Sequence, residues 1–156
     1  LCALAAPQVH GGGDSNLRSV AASTVTTADL SDDQTPSTKA PRPVARFAAL
    51  CNFDHRVTVS SDRGGLWLQG GSAPPTGFAD AVPYQVAFTW ADGSQALQAD
   101  AASEGEVDAA LDVNRPAFGD IVLHVHVDQG ATNAGSGAPL VAGTYEDILR
   151  VTLGAQ

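Results

Sequence analysis

Gly143-Thr144-Tyr145-Glu146-Asp147-Ile148-Leu149-Arg150-Val151-Thr152-Leu153-Gly154 alternates strictly, with Tyr145, Leu149, Val151 and Leu153 in one phase and Glu146, Arg150 and Thr152 in the other. A period of two with apolar residues on one side marks a strand with one face for a core and one for water. The strand runs almost to Gln156, so what pairs with it decides what the fold can do. Asp147 falls in the apolar phase. It is expected as a partly buried carboxylate satisfied by backbone N–H groups near a strand end, because a catalytic acid would need a second titratable partner.

The same alternation recurs upstream. Ala45, Phe47, Ala49, Cys51, Phe53, Val57 and Val59 share one phase, with Arg46, Asn52, Asp54, Arg56 and Thr58 in the other, which predicts one long strand. Ser61-Asp62-Arg63-Gly64-Gly65 reads as a turn and Leu66-Trp67-Leu68 as the start of another strand. Tyr84, Val86, Phe88 and Trp90 alternate up to Ala91-Asp92-Gly93-Ser94, and a return strand is expected near Ala96-Leu97, since Asp-Gly between alternating runs signals a hairpin. Val107 to Val113 fits a strand or a helical turn, and Ile121, Leu123, Val125 and Val127 form a further inward face. Short strands are expected within Val20 to Val25 and at Ala28-Asp29-Leu30. Residues Ser31 to Pro43 read as a loop or insertion, as do Gly70 to Pro75 and Ala131 to Val141. Strands at this spacing without a convincing helix predict a single all-β antiparallel sandwich domain over residues 1 to 156.

With 17 acidic against 8 basic residues the formal charge is -9 and the pI about 4.5. The mean field repels nucleic acid and anionic membrane surfaces alike. The seven Arg and Lys39 are scattered, and no apolar run approaches the length of a membrane helix. Cys2 and Cys51 fit either one disulfide or two buried thiols. A bridge closing so long a loop stabilises by about 4 kcal/mol and implies a compartment outside the cytosol. Ala3-Leu4-Ala5 has the small-residue character of a signal cleavage site but lacks the preceding charged and apolar regions, so a mature N-terminus near Leu1 is expected.

Sites for chemistry are sparse. His124 and His126 share the polar phase of one strand with Asp128 beside them, a pair able to bite one metal ion. LHVHVDQGATNAGSG resembles the metal-binding strand of copper–zinc superoxide dismutases, but that enzyme needs further histidines downstream and this chain has none after His126. An exposed strand face carrying two histidines is the expectation, with no cofactor and no catalytic residue. Cys51 and His55 lie roughly 13 Å apart along an extended strand, too far for a thiol–imidazole dyad. Gly11-Gly12-Gly13 and Gly64-Gly65 lack a phosphate-loop context and read as turns. Trp67, Tyr84, Phe88 and Trp90 are expected in the core before a sugar-stacking surface.

Cys2, the strand ending in Cys51-Asn52, VTVSSDRGGLWL, VPYQVAFTW and the closing AGTYEDILRVTLGAQ form an ordered set that resembles the spore coat protein U-like domain family, which includes archaic chaperone–usher pilins. Gly143, Tyr145 and Asp147 match the closing motif, and the likeness covers about Val44 to Gln156. The resemblance implies a Cys2–Cys51 disulfide and an incomplete immunoglobulin-like sandwich. Its groove, lined by Tyr145, Leu149, Val151 and Leu153, would be filled by a donor strand from another chain. It implies a non-enzymatic fibre subunit that passes through the periplasm to the cell surface, with a periplasmic chaperone, an outer-membrane usher and neighbouring subunits as partners. With only Leu1 ahead of Cys2, the sequence as it stands is expected to accept a strand and not to donate one, unless the Val20 to Leu30 region serves. The alternative is a secreted monomeric adhesive or ligand-binding sandwich using loops Gly70 to Ala81 and Ala131 to Leu140.

Overall fold

Alternating burial marks the strands Val44–Cys51, His55–Ser61 and Tyr84–Trp90 in the computed structural model, which describes residues 1–10, 16–21, 24–28, 44–71 and 73–156. In chain order the strands are β1 (Cys2–Leu4), β2 (Gln8–His10), β3 (Asn16–Ala21), β4 (Thr24–Ala28), β5 (Val44–Cys51), β6 (His55–Ser61) and β7 (Leu66–Leu68). They continue as β8 (Ala81–Val82), β9 (Tyr84–Trp90), β10 (Gly93–Ala99), β11 (Val107–Val113), β12 (Ala117–His126), β13 (Tyr145–Glu146) and β14 (Ile148–Ala155). No helix occurs among the described residues, so none there is long and apolar enough to cross a membrane. The expected loop at 31–43 lies outside the described residues.

Two antiparallel sheets face each other. The first runs β1-β5-β12-β9-β10, with β2 also on β5, and the second runs β11-β6-β14-β4-β3. A small third sheet, β13-β7-β8, sits at one end. The inner phases of the first sheet supply Phe47, Val86, Phe88, Trp90, Ile121 and Leu123, and those of the second supply Val57, Val59, Leu149 and Val151, all buried. Each large apolar side chain so placed contributes about 1.5–3 kcal/mol of burial. The all-β antiparallel sandwich is therefore as expected. Tyr84, Phe88 and Trp90 lie in its core, whereas Trp67 is half-buried and donates its indole N–H to the Arg63 carbonyl at 2.9 Å.

Cys2 and Cys51 are direct cross-strand partners on β1 and β5 and are joined in a disulfide. The single strand expected from Ala45 to Val59 is instead two strands in different sheets, because Asn52-Phe53-Asp54 bends the chain from one sheet to the other. Asn and Asp favour such bends by bonding their own backbone. Phe53, expected inward, stands at the bend and is 38% exposed. The alternation survives because each half keeps an inner face of its own.

The hairpin also shifts. Trp90 pairs directly with Gly93, so the two-residue loop is Ala91-Asp92, one residue earlier than Asp-Gly suggested, and the positive φ of 52° falls on Ala91. Gly93 serves close packing instead: a Cβ there would lie 2.9 Å from a Leu111 methyl. Val107 to Val113 is a strand, paired along its length with β6.

Candidate functional site

The expected groove wall comes first. The strand read as continuous from Tyr145 to Leu153 is broken at Asp147 into β13 and β14. Tyr145 therefore leaves the wall: it pairs with Leu68 in the small sheet, and its buried hydroxyl donates to the Val141 carbonyl at 2.7 Å. Burial and the nearby Asp80 carboxylate push the Tyr145 phenol up to about 12. Leu149, Val151 and Leu153 do line one face of β14, with Leu149 and Val151 buried and Leu153 only half-buried.

One flank of β14 is paired with β6 from Leu149 to Ala155. On the other flank, where a vacancy was expected, β4 pairs with Ile148, Leu149 and Arg150. From Val151 to Ala155 that second flank has no partner strand among the described residues. The chain thus fills the first part of its own edge with the neighbourhood that the sequence marked as an unorthodox donor.

Asp147 is the hub of this region. Its side chain points inward between the sheets at the β13–β14 break and is 3% exposed. One carboxylate oxygen accepts from the Ser61 hydroxyl at 2.5 Å and the Tyr84 hydroxyl at 2.6 Å. The other accepts from the backbone N–H groups of Arg63 at 3.0 Å and Ile148 at 2.7 Å. Ser61 Oγ in turn accepts from Gly64 N–H at 2.8 Å. Gly64 has a φ of +65°, and a Cβ there would stand 2.7 Å from the Gly105 carbonyl, so glycine is required. Burial raises the carboxyl's pKa, against the pull of Ser61, Tyr84 and the two backbone donors. Burial and the adjacent carboxylate also push the Tyr84 phenol well up. Every oxygen lone pair in reach has a donor, which suits a structural pin tying β6, β9 and β14 together.

His55 is likewise spoken for. Its Nε2 accepts the Trp90 indole N–H at 2.7 Å and its Nδ1 lies 2.7 Å from the Phe53 carbonyl, to which it donates as the neutral tautomer. The ring is fully buried and meets Trp90 edge-on at 5.9 Å between centroids. With Cys51 in the disulfide, no thiol–imidazole pair exists. His124 and His126 lie on the outer face of β12, where His124 is exposed and His126 Nε2 lies 2.6 Å from Asp128 Oδ1. Among the described residues no three His, Cys, Asp or Glu side chains gather to hold a metal ion.

The outer face of the first sheet holds what the sequence reading missed. β9 carries Gln85 outward between β12 and β10, with His126 and Gln98 as its direct cross-strand neighbours. Just beyond the ends of these strands stand Pro83, Asp128 and Asp100, which together with the first row line a cleft of about 140 Å³. Asp100 Oδ1 accepts from Ala102 N–H at 3.0 Å. The Gln85 and Gln98 amides have no intramolecular hydrogen bond among the described residues. The signal was present as the polar phases of three separate strands, but only the register brings Gln85, Gln98 and His126 abreast. At the other end of the same face, Phe118 is 84% exposed and pairs with Leu50.

No family model matches the sequence, and no curated protein matches it. Among solved structures, a carbohydrate-binding module in complex with β-1,4-galactotriose is similar, with a TM-score of 0.48 at 10% identity over 96% of this chain and 88% of that one.

Proposed function

We propose that the chain is a secreted, self-contained β-sandwich that acts by holding a ligand, without catalysis. The observation that carries this reading is the pairing of β14 on both flanks within its own chain over Leu149 and Arg150. A fold whose last strand is so engaged relies less on a borrowed strand for its core. The internal consumption of Asp147 and His55 by structural hydrogen bonds supports a non-enzymatic role. The disulfide supports an oxidising, extracytosolic setting. The test is light scattering with thermal unfolding of the purified chain. A monomer that unfolds cooperatively, unaffected by synthetic donor-strand peptides, is expected. An aggregated chain rescued by such a peptide would overturn the reading.

A second reading keeps the resemblance to spore coat U-like domains and archaic pilins, with a fibre of like subunits built through a chaperone and usher. It is favoured by the Val151–Ala155 flank, which has no partner strand among the described residues, and by the half-buried Leu153 beside it. β-strand addition needs such an edge. Electron microscopy of the native particle separates the two, as monomer or as fibre.

A further inference from the structure

We infer that the cleft over β9, between β12 and β10, seats one neutral polyhydroxylated unit, a single sugar residue. The inference rests on the reading of the chain as a ligand-binding module and names the class of ligand. Its argument begins with unused hydrogen-bonding capacity. Gln85 and Gln98 stand side by side in register, and each amide offers two donors and an acceptor that nothing else among the described residues engages. Neighbouring hydroxyls of one sugar ring, each both donor and acceptor, match an amide's paired N–H and C=O.

Charge narrows the class. The cleft carries Asp100 and Asp128 and no Lys or Arg, on a chain of net charge -9, so anionic ligands are repelled. Asp128 faces His126 and Asp100 accepts a backbone N–H, each through one oxygen, so each keeps an acceptor that a sugar hydroxyl or an ammonium can reach. The two neutral amides add N–H donors, which an ammonium, having no acceptor, cannot use and a sugar hydroxyl can. Size narrows it again. Pockets for drug-sized ligands run to about 300–1,000 Å³, and this one is about 140 Å³. The Pro83 ring gives the lining an apolar part against which sugar C–H groups can rest.

The experiment is an amide-resolved NMR titration of the full chain with the methyl glycosides of glucose, galactose, mannose and N-acetylglucosamine. Methylammonium chloride and a donor-strand peptide are run as parallel arms. Saturable shifts confined to residues 84–85, 98–100 and 126–131 are expected with at least one glycoside. The Gln85→Ala/Gln98→Ala variant should weaken them about tenfold or more. Both side chains are exposed, so the variant's amide dispersion reports retained folding. Phe118→Ser, on the same face but outside the cleft, should leave the affinity unchanged. Shifts in the cleft with methylammonium and none with glycosides would refute the ligand class while leaving a binding module standing. A silent cleft with peptide shifts along Val151–Ala155 would remove both readings.

Discussion

Removing the Asp147 carboxylate should loosen the sandwich where its two sheets and last strand meet. In Asp147→Ala four donors lose their acceptor: the Ser61 and Tyr84 hydroxyls and the Arg63 and Ile148 N–H groups. A buried donor left unpaired costs about 1–3 kcal/mol. Relief of the burial penalty on the carboxylate, and water entering the gap, offset part of that sum, leaving about 3–5 kcal/mol. For a chain of this size that lowers Tm by about 10 °C. Asp147→Asn should cost less, about 1–3 kcal/mol, because its carbonyl keeps both N–H donors while the Ser61 and Tyr84 hydroxyls lose their acceptor and must turn their protons elsewhere. Urea unfolding followed by the fluorescence of the two tryptophans measures both. A pH series adds a second readout. The native Asp147 carboxyl titrates above its ordinary value, so the folded state binds more protons in the window above about pH 4. Stability therefore falls as pH rises through that window, and Asp147→Asn should remove that part of the slope. Asp112, held low by Arg56, acts in the opposite sense at lower pH. If Asp147→Ala melted within about 2 °C of wild type, the pin would not exist.

Val151→Asp places an unpaired charge in the core of β14 and should abolish folding. Arg150→Ser, which breaks only an exposed ion pair with Asp62, should leave Tm close to wild type, as thermal scans will show. Cys2→Ser/Cys51→Ser should lose about 4 kcal/mol, readable as a matching loss when the wild type is reduced. Ala91→Gly should raise stability by about 0.5 kcal/mol or more in urea titration, since alanine is strained at positive φ. A loss there would move the turn elsewhere.

The inner faces were legible because alternation reports burial one strand at a time. Phe47, Val86, Phe88, Ile121, Leu123 and Val151 all sit where their phase puts them. Alternation says nothing about where a strand changes sheet. The β5 and β6 runs share one unbroken phase across Asn52-Phe53-Asp54, and only the tertiary pairing reveals the bend. The break at Asp147 is hidden in the same manner, since a carboxylate in an apolar phase signals a buried polar group without saying that the strand stops there. The cleft was illegible for a different reason. Gln85, Gln98 and His126 are unremarkable polar-phase residues far apart in sequence, and cross-strand register, a property of the pairing and not of any one strand, sets them side by side.

The terminal strand carries both functional readings because its two ends differ. At Leu149, where β6 and β4 both flank the strand, the side chain is 3% exposed. At Leu153 β6 alone is beside it among the described residues and burial becomes partial, although the phase is unchanged. The loss of burial therefore follows the missing flank and not the residue type. An incoming strand would gain a short run of backbone partners and one half-covered leucine, far less than a full core row. Such an edge favours weak, reversible addition over obligate complementation, since most of the core is already closed.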